Sequence, residues 1–149
     1  MSTITHIEKE ELVNADSVSA IINKKISVYV ITGGVACGKT HLATVVRNAI
    51  EQKSGVATMI DEIPDDYRPA IIELLKVATM MRPLILVSQS YIDLGDLIKL
   101  KINEGSAILL CGTAHGAKDV KHISDKHGIS GSRLIKLPAR KFAVIRQAI

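Results

Sequence analysis

The chain has 149 residues, a formal net charge of +4 and a hydrophobic content of 47%, which suits one domain with a sizeable core. With one Phe, three Tyr and no Trp, that core must be aliphatic, as is typical of a parallel sheet covered by helices. The start is polar and charged, and no apolar run reaches the ~18 residues of a membrane span. We therefore expect a cytoplasmic protein without a membrane span, and two cysteines exclude a disulfide framework or a zinc site.

The amino-terminal region is predicted to lead into a first strand. Residues 1–7 are expected to form a loose tail, and the apolar spacing from Ile7 to Ile22 predicts one or two helices. The β-branched run from Ile26 to Ile31 predicts a strand. A helical pattern follows, and we expect a helix from about Lys39 to Gln52.

The connection between that strand and that helix has the spacing GxxxxGK[ST]. It consists of Gly33, Gly34, Val35, Ala36, Cys37, Gly38, Lys39 and Thr40. A phosphate-binding P-loop needs this strand–loop–helix context, because backbone N–H groups and the helix N-terminus attract phosphate. Lys39, which we count as catalytic, is expected to neutralise the β- and γ-phosphates, and the Thr40 hydroxyl to bind Mg²⁺. With His41 added to the binding residues, the loop predicts a site for ATP and Mg²⁺.

The remaining apolar runs predict strands and helices in alternation. In chain order they are strand 56–62, helix 70–81, strand 84–89, short helix 92–100, strand 107–112, short helix 117–126, and strands 134–137 and 142–145. This alternation predicts an α/β fold in three layers, α/β/α, around a mainly parallel sheet of minimal size. The last two strands can form a C-terminal β-hairpin, and residues 1–149 are expected to form a single P-loop NTPase domain.

Polar residues follow the predicted strands at their carboxyl ends, which is where α/β sheets bind ligands. Asp61 and Glu62 end the second strand, Gln89 ends the third and Thr113 follows the fourth. Asp61 is expected to hold Mg²⁺, which prefers oxygen ligands. Glu62 is expected to activate the water that attacks the γ-phosphate. The amide of Gln89 offers a donor and an acceptor, which suits a γ-phosphate sensor.

Two arginines are candidates for stabilising transition-state charge. Arg82 begins the strand that ends in Gln89 and could act across a subunit interface. Arg133 follows a stretch of Gly and Ser, and could instead contact nucleic-acid phosphate. The histidines of the C-terminal region lack Cys or acidic neighbours at metal-ligand spacing, so we assign no metal to them. They are His115, His122 and His127.

Positive charge is concentrated near the C-terminus. Residues 114–149 contain eight Lys or Arg against Asp119 and Asp125, which gives this segment +6 and leaves −2 for residues 1–113. A basic segment is compatible with a phosphate-rich partner such as DNA. It is equally compatible with an ordinary solvated surface, and the sequence leaves both interpretations open.

Three stretches resemble the additional-strand class of P-loop ATPases, and within it the FtsK–HerA superfamily of DNA-translocating and packaging motors. They are residues 33–40, 58–62 and 82–89. The resemblance, which covers about residues 27–113, implies that Asp61 is the metal residue, Glu62 the base, Gln89 the sensor and Arg82 a possible finger. It also implies that the Gln89 strand lies between the loop strand and the Asp61 strand. The Cys111 strand is then expected on the loop strand's other side.

The function that this resemblance implies is ATP hydrolysis coupled to DNA translocation, packaging or other nucleic-acid handling. The protein is then expected to act as a homo-oligomer in a phage or plasmid context. One alternative is a small nucleoside or nucleotide kinase with residues 114–133 as a mobile flap. Another is a nucleotide-gated interaction switch, of partition or loader type, with slow turnover. A GTPase is not expected, because the guanine-specific Asn-Lys-x-Asp motif is absent.

Overall fold

The computed structural model describes residues 11–34, 37–61, 63, 67–78, 82–91, 97–113 and 115–147. In these ranges the strands are β1 Leu12–Val13, β2 Val28–Thr32, β3 Thr58–Ile60, β4 Leu84–Ser88, β5 Ala107–Cys111 and β6 Phe142–Ile145. The α-helices are α1 Lys39–Ser54, α2 Arg68–Val77, α3 Leu97–Asn103, α4 Ala117–His127 and α5 Gly131–Ile135. A 3₁₀ helix spans Val18–Ile21.

All six strands form one mixed sheet in the order β1-β6-β5-β2-β4-β3. The central strands β5, β2, β4 and β3 pair in parallel, whereas β6 is antiparallel to both β5 and β1. Strand β4 therefore lies between β2 and β3, and β5 lies on the other side of β2. The strand order expected from the sequence is confirmed.

The centre of the sheet is buried on both faces, because its strands are apolar except for Thr32 and Ser88 at their carboxyl ends. Every residue of β2, β4 and β5 is buried. One face packs against α1 and the 3₁₀ helix through residues such as Leu42 and Val18. The other face packs against α2, α3, α4 and α5, through residues such as Ile71, Ile102 and Leu134. The molecule is thus an α/β protein with helices on both sides of a mixed sheet.

The one or two helices predicted over 7–22 are confirmed in part, because the 3₁₀ helix spans Val18–Ile21 with Ser17 at its N-cap, but residues 12–13 are not helical. Leu12 and Val13 form the edge strand β1, paired with Ala143 and Phe142 of β6. The Glu11 carboxylate also forms an ion pair with Arg146. Pairing with β6 gives the backbone N–H and C=O groups of this segment the hydrogen bonds that a helix would otherwise supply. Residues 1–7, predicted as a tail, lie outside the described residues.

The strand predicted over 134–137 is also wrong, and with it the C-terminal hairpin. Leu134 and Ile135 end α5, and residues 136–137 follow it as turn and coil. The first turn of α5 is capped by the Ser130 hydroxyl, which accepts from the Arg133 N–H at 3.3 Å. The cap satisfies an N-terminal backbone donor and so favours a helix. Leu134 is buried while Ile135 is 69% exposed. Strand β6 finds its partners in β5 and β1 instead.

The other predicted strands and helices are confirmed to within a few residues at their ends, apart from residues 79–81 and 92–96, which lie outside the described ranges. In the described part of the chain, no helix has the length and hydropathy to cross a membrane.

The tight packing at the end of β5 leads to a stability prediction. Gly112→Ala is expected to destabilise the protein by about 1–3 kcal/mol. The added Cβ would lie 2.7 Å from Cε2 of Phe142 and 3.1 Å from Sγ of Cys37. At Gly116 no described atom lies within 4 Å of an added Cβ, so Gly116→Ala should cost less than about 1 kcal/mol. Chemical denaturation measures both, and equal losses would contradict the packing described for Gly112.

Candidate functional site

The glycine-rich loop, residues 33–40, starts at the carboxyl edge of the sheet and is tied to the strands on both sides of β2. The Gly33 N–H donates to the Ser88 carbonyl at the end of β4, at 3.3 Å. The Gly34 N–H donates to the Thr113 carbonyl just after β5, at 3.0 Å. Parallel strands end at a common edge, so these two hydrogen bonds hold the start of the loop at the middle of the carboxyl edge of the sheet. Val35 and Ala36 lie outside the described residues.

Two glycines of the loop are required by its geometry. A Cβ at Gly33 would stand 2.4 Å from Sγ of Cys37, a distance at which one of them must move. Gly38 has φ +91° and is the N-cap of α1, a left-handed conformation that glycine adopts without strain. Cys37 is 4% exposed and packs beneath the loop. Its sulfur therefore fills the space that the missing Gly33 side chain leaves.

Lys39 closes the loop from the other end. It is the first residue of α1, and its Nζ donates to the Gly34 carbonyl at 3.2 Å. The first backbone N–H groups of a helix lack partners within the helix and carry partial positive charge. The lysine ammonium and the start of α1 thus concentrate positive potential at the loop, as an anion site requires.

Thr40 and Asp61 are brought together by the strand order. The Thr40 hydroxyl donates to Oδ2 of Asp61 at 2.9 Å, although 21 positions separate the two residues. Asp61 directly follows β3, which is separated from β2 by β4. A hydroxyl and a carboxylate at this distance offer the oxygen ligands that Mg²⁺ prefers. Gln89 directly follows β4 at the same edge and is exposed, whereas Glu62 lies outside the described residues.

The structure does not bring the two candidate arginines, Arg82 and Arg133, together at this site. Arg82 is exposed and precedes β4, so it lies at the amino edge of the parallel strands, opposite the loop. Within one chain it is on the wrong edge to contact a phosphate in the loop. Arg133 lies half-buried in α5.

Arg140 lies beside the loop, although no feature of the sequence marked it as a site residue. Its Cγ lies 3.8 Å from the position of a Cβ on Gly38. It occupies a turn before β6 with φ +62°, and the antiparallel direction of β6 brings that turn to the loop's edge. The sequence carries no local signal for this placement.

A cavity of about 230 Å³ lies beside the start of α1. It is lined by Asn14, Ala15, Asp16, Gly38, His41, Leu42, Arg140 and Phe142. His41, predicted as a nucleotide-binding residue, therefore faces this cavity. We call it the side cavity.

The three histidines considered above lie in α4 and in the segment before it, and each makes a polar or aromatic contact. Nε2 of His115 lies 3.3 Å from Oγ1 of Thr32 at the end of β2, and burial lowers the pKa of His115 against the opposing effect of Asp119. His127 is 5% exposed, and its Nε2 lies 2.8 Å from the hydroxyl of Tyr91. The His122 ring contacts Tyr91 edge-on, with centroids 6.4 Å apart.

Comparisons of this chain with protein-family models, with curated proteins and with solved structures found no match.

The buried His127 predicts a pH-dependent loss of stability. Burial lowers its pKa from 6.5 to about 4, with Lys99 and Lys126 acting in the same direction. Below pH 6.5 the unfolded chain therefore binds a proton that the folded protein does not, so stability falls as the pH drops towards 4. Between pH 6.5 and 5 this histidine should lower the unfolding free energy by about 1.5 kcal/mol.

The measurement is urea denaturation at the two pH values. His127→Gln, which keeps a polar group near Tyr91, should lose less stability over this interval than the parent protein. His122→Gln is the matched control and should keep the parent's pH dependence. An unchanged pH dependence in His127→Gln would contradict the assignment.

Proposed function

We propose that this protein binds the Mg²⁺ complex of ATP at the glycine-rich loop and hydrolyses it. The observation that carries the proposal is the 2.9 Å hydrogen bond from Thr40 to Asp61, next to a loop closed by Lys39. If the loop were only a glycine turn with a solvated lysine, nothing would require a carboxylate from a strand two positions away in the sheet. A site for a metal–triphosphate complex needs both.

The chemical roles follow from this arrangement. Lys39 and the first N–H groups of α1 neutralise phosphate oxygens. Thr40 and Asp61 hold the metal, which supplies charge neutralisation between the β- and γ-phosphates. Gln89, exposed at the end of β4, is near enough in the sheet order to sense the γ-phosphate. Glu62, next to Asp61 in sequence, is proposed as the base for the attacking water.

The position of β4 between β2 and β3 supports the additional-strand class of P-loop ATPases, because this order is the one that the class implies. We extend the proposal to nucleic-acid handling of the FtsK–HerA kind, in a homo-oligomer. Arg82 is on the edge opposite its own loop, so as a finger it would serve the loop of a neighbouring subunit.

The basic C-terminal segment is the proposed contact for DNA. Lys118 and Lys136 are exposed and add to the positive charge there. Two cations of the segment already have acidic partners and are less available to DNA phosphates. Arg146 forms an ion pair with Glu11, and Nζ of Lys121 lies 3.5 Å from Oδ2 of Asp125. Contacts to DNA are therefore expected from a subset of its eight basic residues.

Replacement of the two threonines at the start of α1 tests the metal–nucleotide site. Thr40→Ala is expected to weaken ATP binding in the presence of Mg²⁺ by about tenfold, because it removes a hydroxyl that binds the metal. Thr44→Ala is the matched control on the same helix, where the hydroxyl only returns to the Thr40 carbonyl at 3.0 Å. Calorimetric titration with and without Mg²⁺ measures both variants.

The same titrations contradict the proposal if the parent protein fails to bind ATP, or if Thr40→Ala and Thr44→Ala bind it equally well. Glu62→Gln should retain ATP binding and lose turnover. Analysis of the products separates hydrolysis, which releases free phosphate, from transfer to an added nucleoside.

Charge reversal tests the nucleic-acid part of the proposal. Lys118→Glu combined with Lys136→Glu should weaken binding of labelled duplex DNA and reduce the slope of log affinity against log salt by about 2. The control is Lys24→Glu with Lys25→Glu, an equal charge change at exposed sites before β2. Fluorescence anisotropy at several salt concentrations gives the slopes. If the parent protein binds no DNA at low salt, with or without ATP, the nucleic-acid role is wrong.

A further inference from the structure

The side cavity and the proposed phosphate site lie on opposite sides of the first turn of α1. Successive residues of an α-helix point about 100° apart. Thr40 points towards Asp61 and β3, whereas His41 and Leu42 line the side cavity. Gly38 lines the cavity as well and directly precedes Lys39, so the cavity begins where the loop ends.

The sheet order gives the same division. Asp61 follows β3, two strands from β2 on one side. The Asn14–Asp16 turn follows β1, and Phe142 begins β6, on the other side of β2. Because Asp61 occupies the first side and the side cavity lies on the second, we expect the rest of a ligand with its phosphates in the loop to extend into the side cavity.

The lining of the side cavity combines an apolar floor with a polar mouth. Leu42 and Phe142 are each 1% exposed and form the floor. Asp16, His41 and Arg140 are exposed and lie at the mouth. A phosphate needs no apolar floor, whereas a flat heterocycle with polar edges needs both kinds of surface.

The walls of the cavity are held in place by contacts of their own. Oδ1 of Asn14 accepts from the N–H groups of Asp16 and Ser17, at 3.0 and 3.1 Å, and so shapes the turn that carries Asp16. On the facing wall, the side chain of Arg140 lies over Gly38. A cavity of about 230 Å³ is smaller than a complete drug-sized ligand requires, so it fits part of a ligand.

We propose that the side cavity holds the base and ribose of the nucleotide whose phosphates occupy the glycine-rich loop. This inference rests on the proposed function and assigns the residues of this chain that hold the nucleoside part of ATP. Leu42 and Phe142 contact the base, the Arg140 guanidinium covers one of its faces, and the Asp16 carboxylate accepts from its N–H groups or from a ribose hydroxyl.

The experiment compares ATP with inorganic tripolyphosphate, both with Mg²⁺, by calorimetric titration. Tripolyphosphate carries the phosphate chain without the nucleoside, so it should bind the parent protein more weakly than ATP. Ala15→Phe fills the cavity and should weaken ATP binding by at least tenfold while leaving tripolyphosphate binding unchanged. Ala20→Phe, at an exposed position of the 3₁₀ helix, is the matched control and should bind both as the parent does.

A second variant tests the cavity without adding bulk. Arg140→Ala should weaken ATP binding three- to tenfold and weaken tripolyphosphate binding by a smaller factor, with Lys24→Ala as the control for lost surface charge. The inference is overturned if the parent binds the two ligands equally, or if these cavity variants weaken both ligands by the same factor. It is also overturned if they weaken neither. A parent protein that binds neither ligand would instead refute the proposed function itself.

Discussion

The common carboxyl edge of β2, β3, β4 and β5 is the constraint on which the candidate site depends. Because these strands are parallel, the segments that follow them all emerge on one side of the sheet. The loop after β2 is bound to Ser88 at the end of β4 through Gly33, and to Thr113, two residues after β5, through Gly34. Thr40 and Asp61 lie within hydrogen-bond distance because the segments that carry them both start at this edge.

The two antiparallel pairings add a second set of groups to the same edge. Strand β6 runs against β5, so its amino end, with Arg140 and Phe142, arrives where β5 finishes. Strand β1 runs against β6 and therefore finishes at this edge as well, followed by the Asn14–Asp16 turn. The parallel half of the sheet supplies groups suited to phosphate and metal. The antiparallel half supplies a cavity with an apolar floor.

Behind this edge, polar contacts connect α4 to the sheet. His115 meets Thr32 at the end of β2, and the Asp119 carboxylate accepts from the Tyr91 N–H at 3.2 Å. The hydroxyl of Tyr91 in turn meets the buried His127. Most buried polar groups in proteins are hydrogen-bonded, and the contacts of Asp119 and His127 with Tyr91 fix α4 against the segment that follows β4.

Features that depend on residues close together in the sequence could be predicted from the sequence alone. The spacing of Gly33, Gly38 and Lys39 is local, and the apolar runs ending at Asp61 and Gln89 indicate strands. The order of the four parallel strands could be stated from the resemblance to the additional-strand class. Only the tertiary structure could decide that residues 12–13 form an edge strand, that residues 131–135 form a helix, and that Arg140 lies over Gly38. The edge strand and the position of Arg140 depend on pairing between the two ends of the chain and on the direction of β6, and neither leaves a periodic pattern in the residues themselves. The helix over 131–135 has a local cap at Ser130, but the burial of Leu134 in the core favours it over a strand. In each case the deciding free energy comes from contacts between segments distant in sequence.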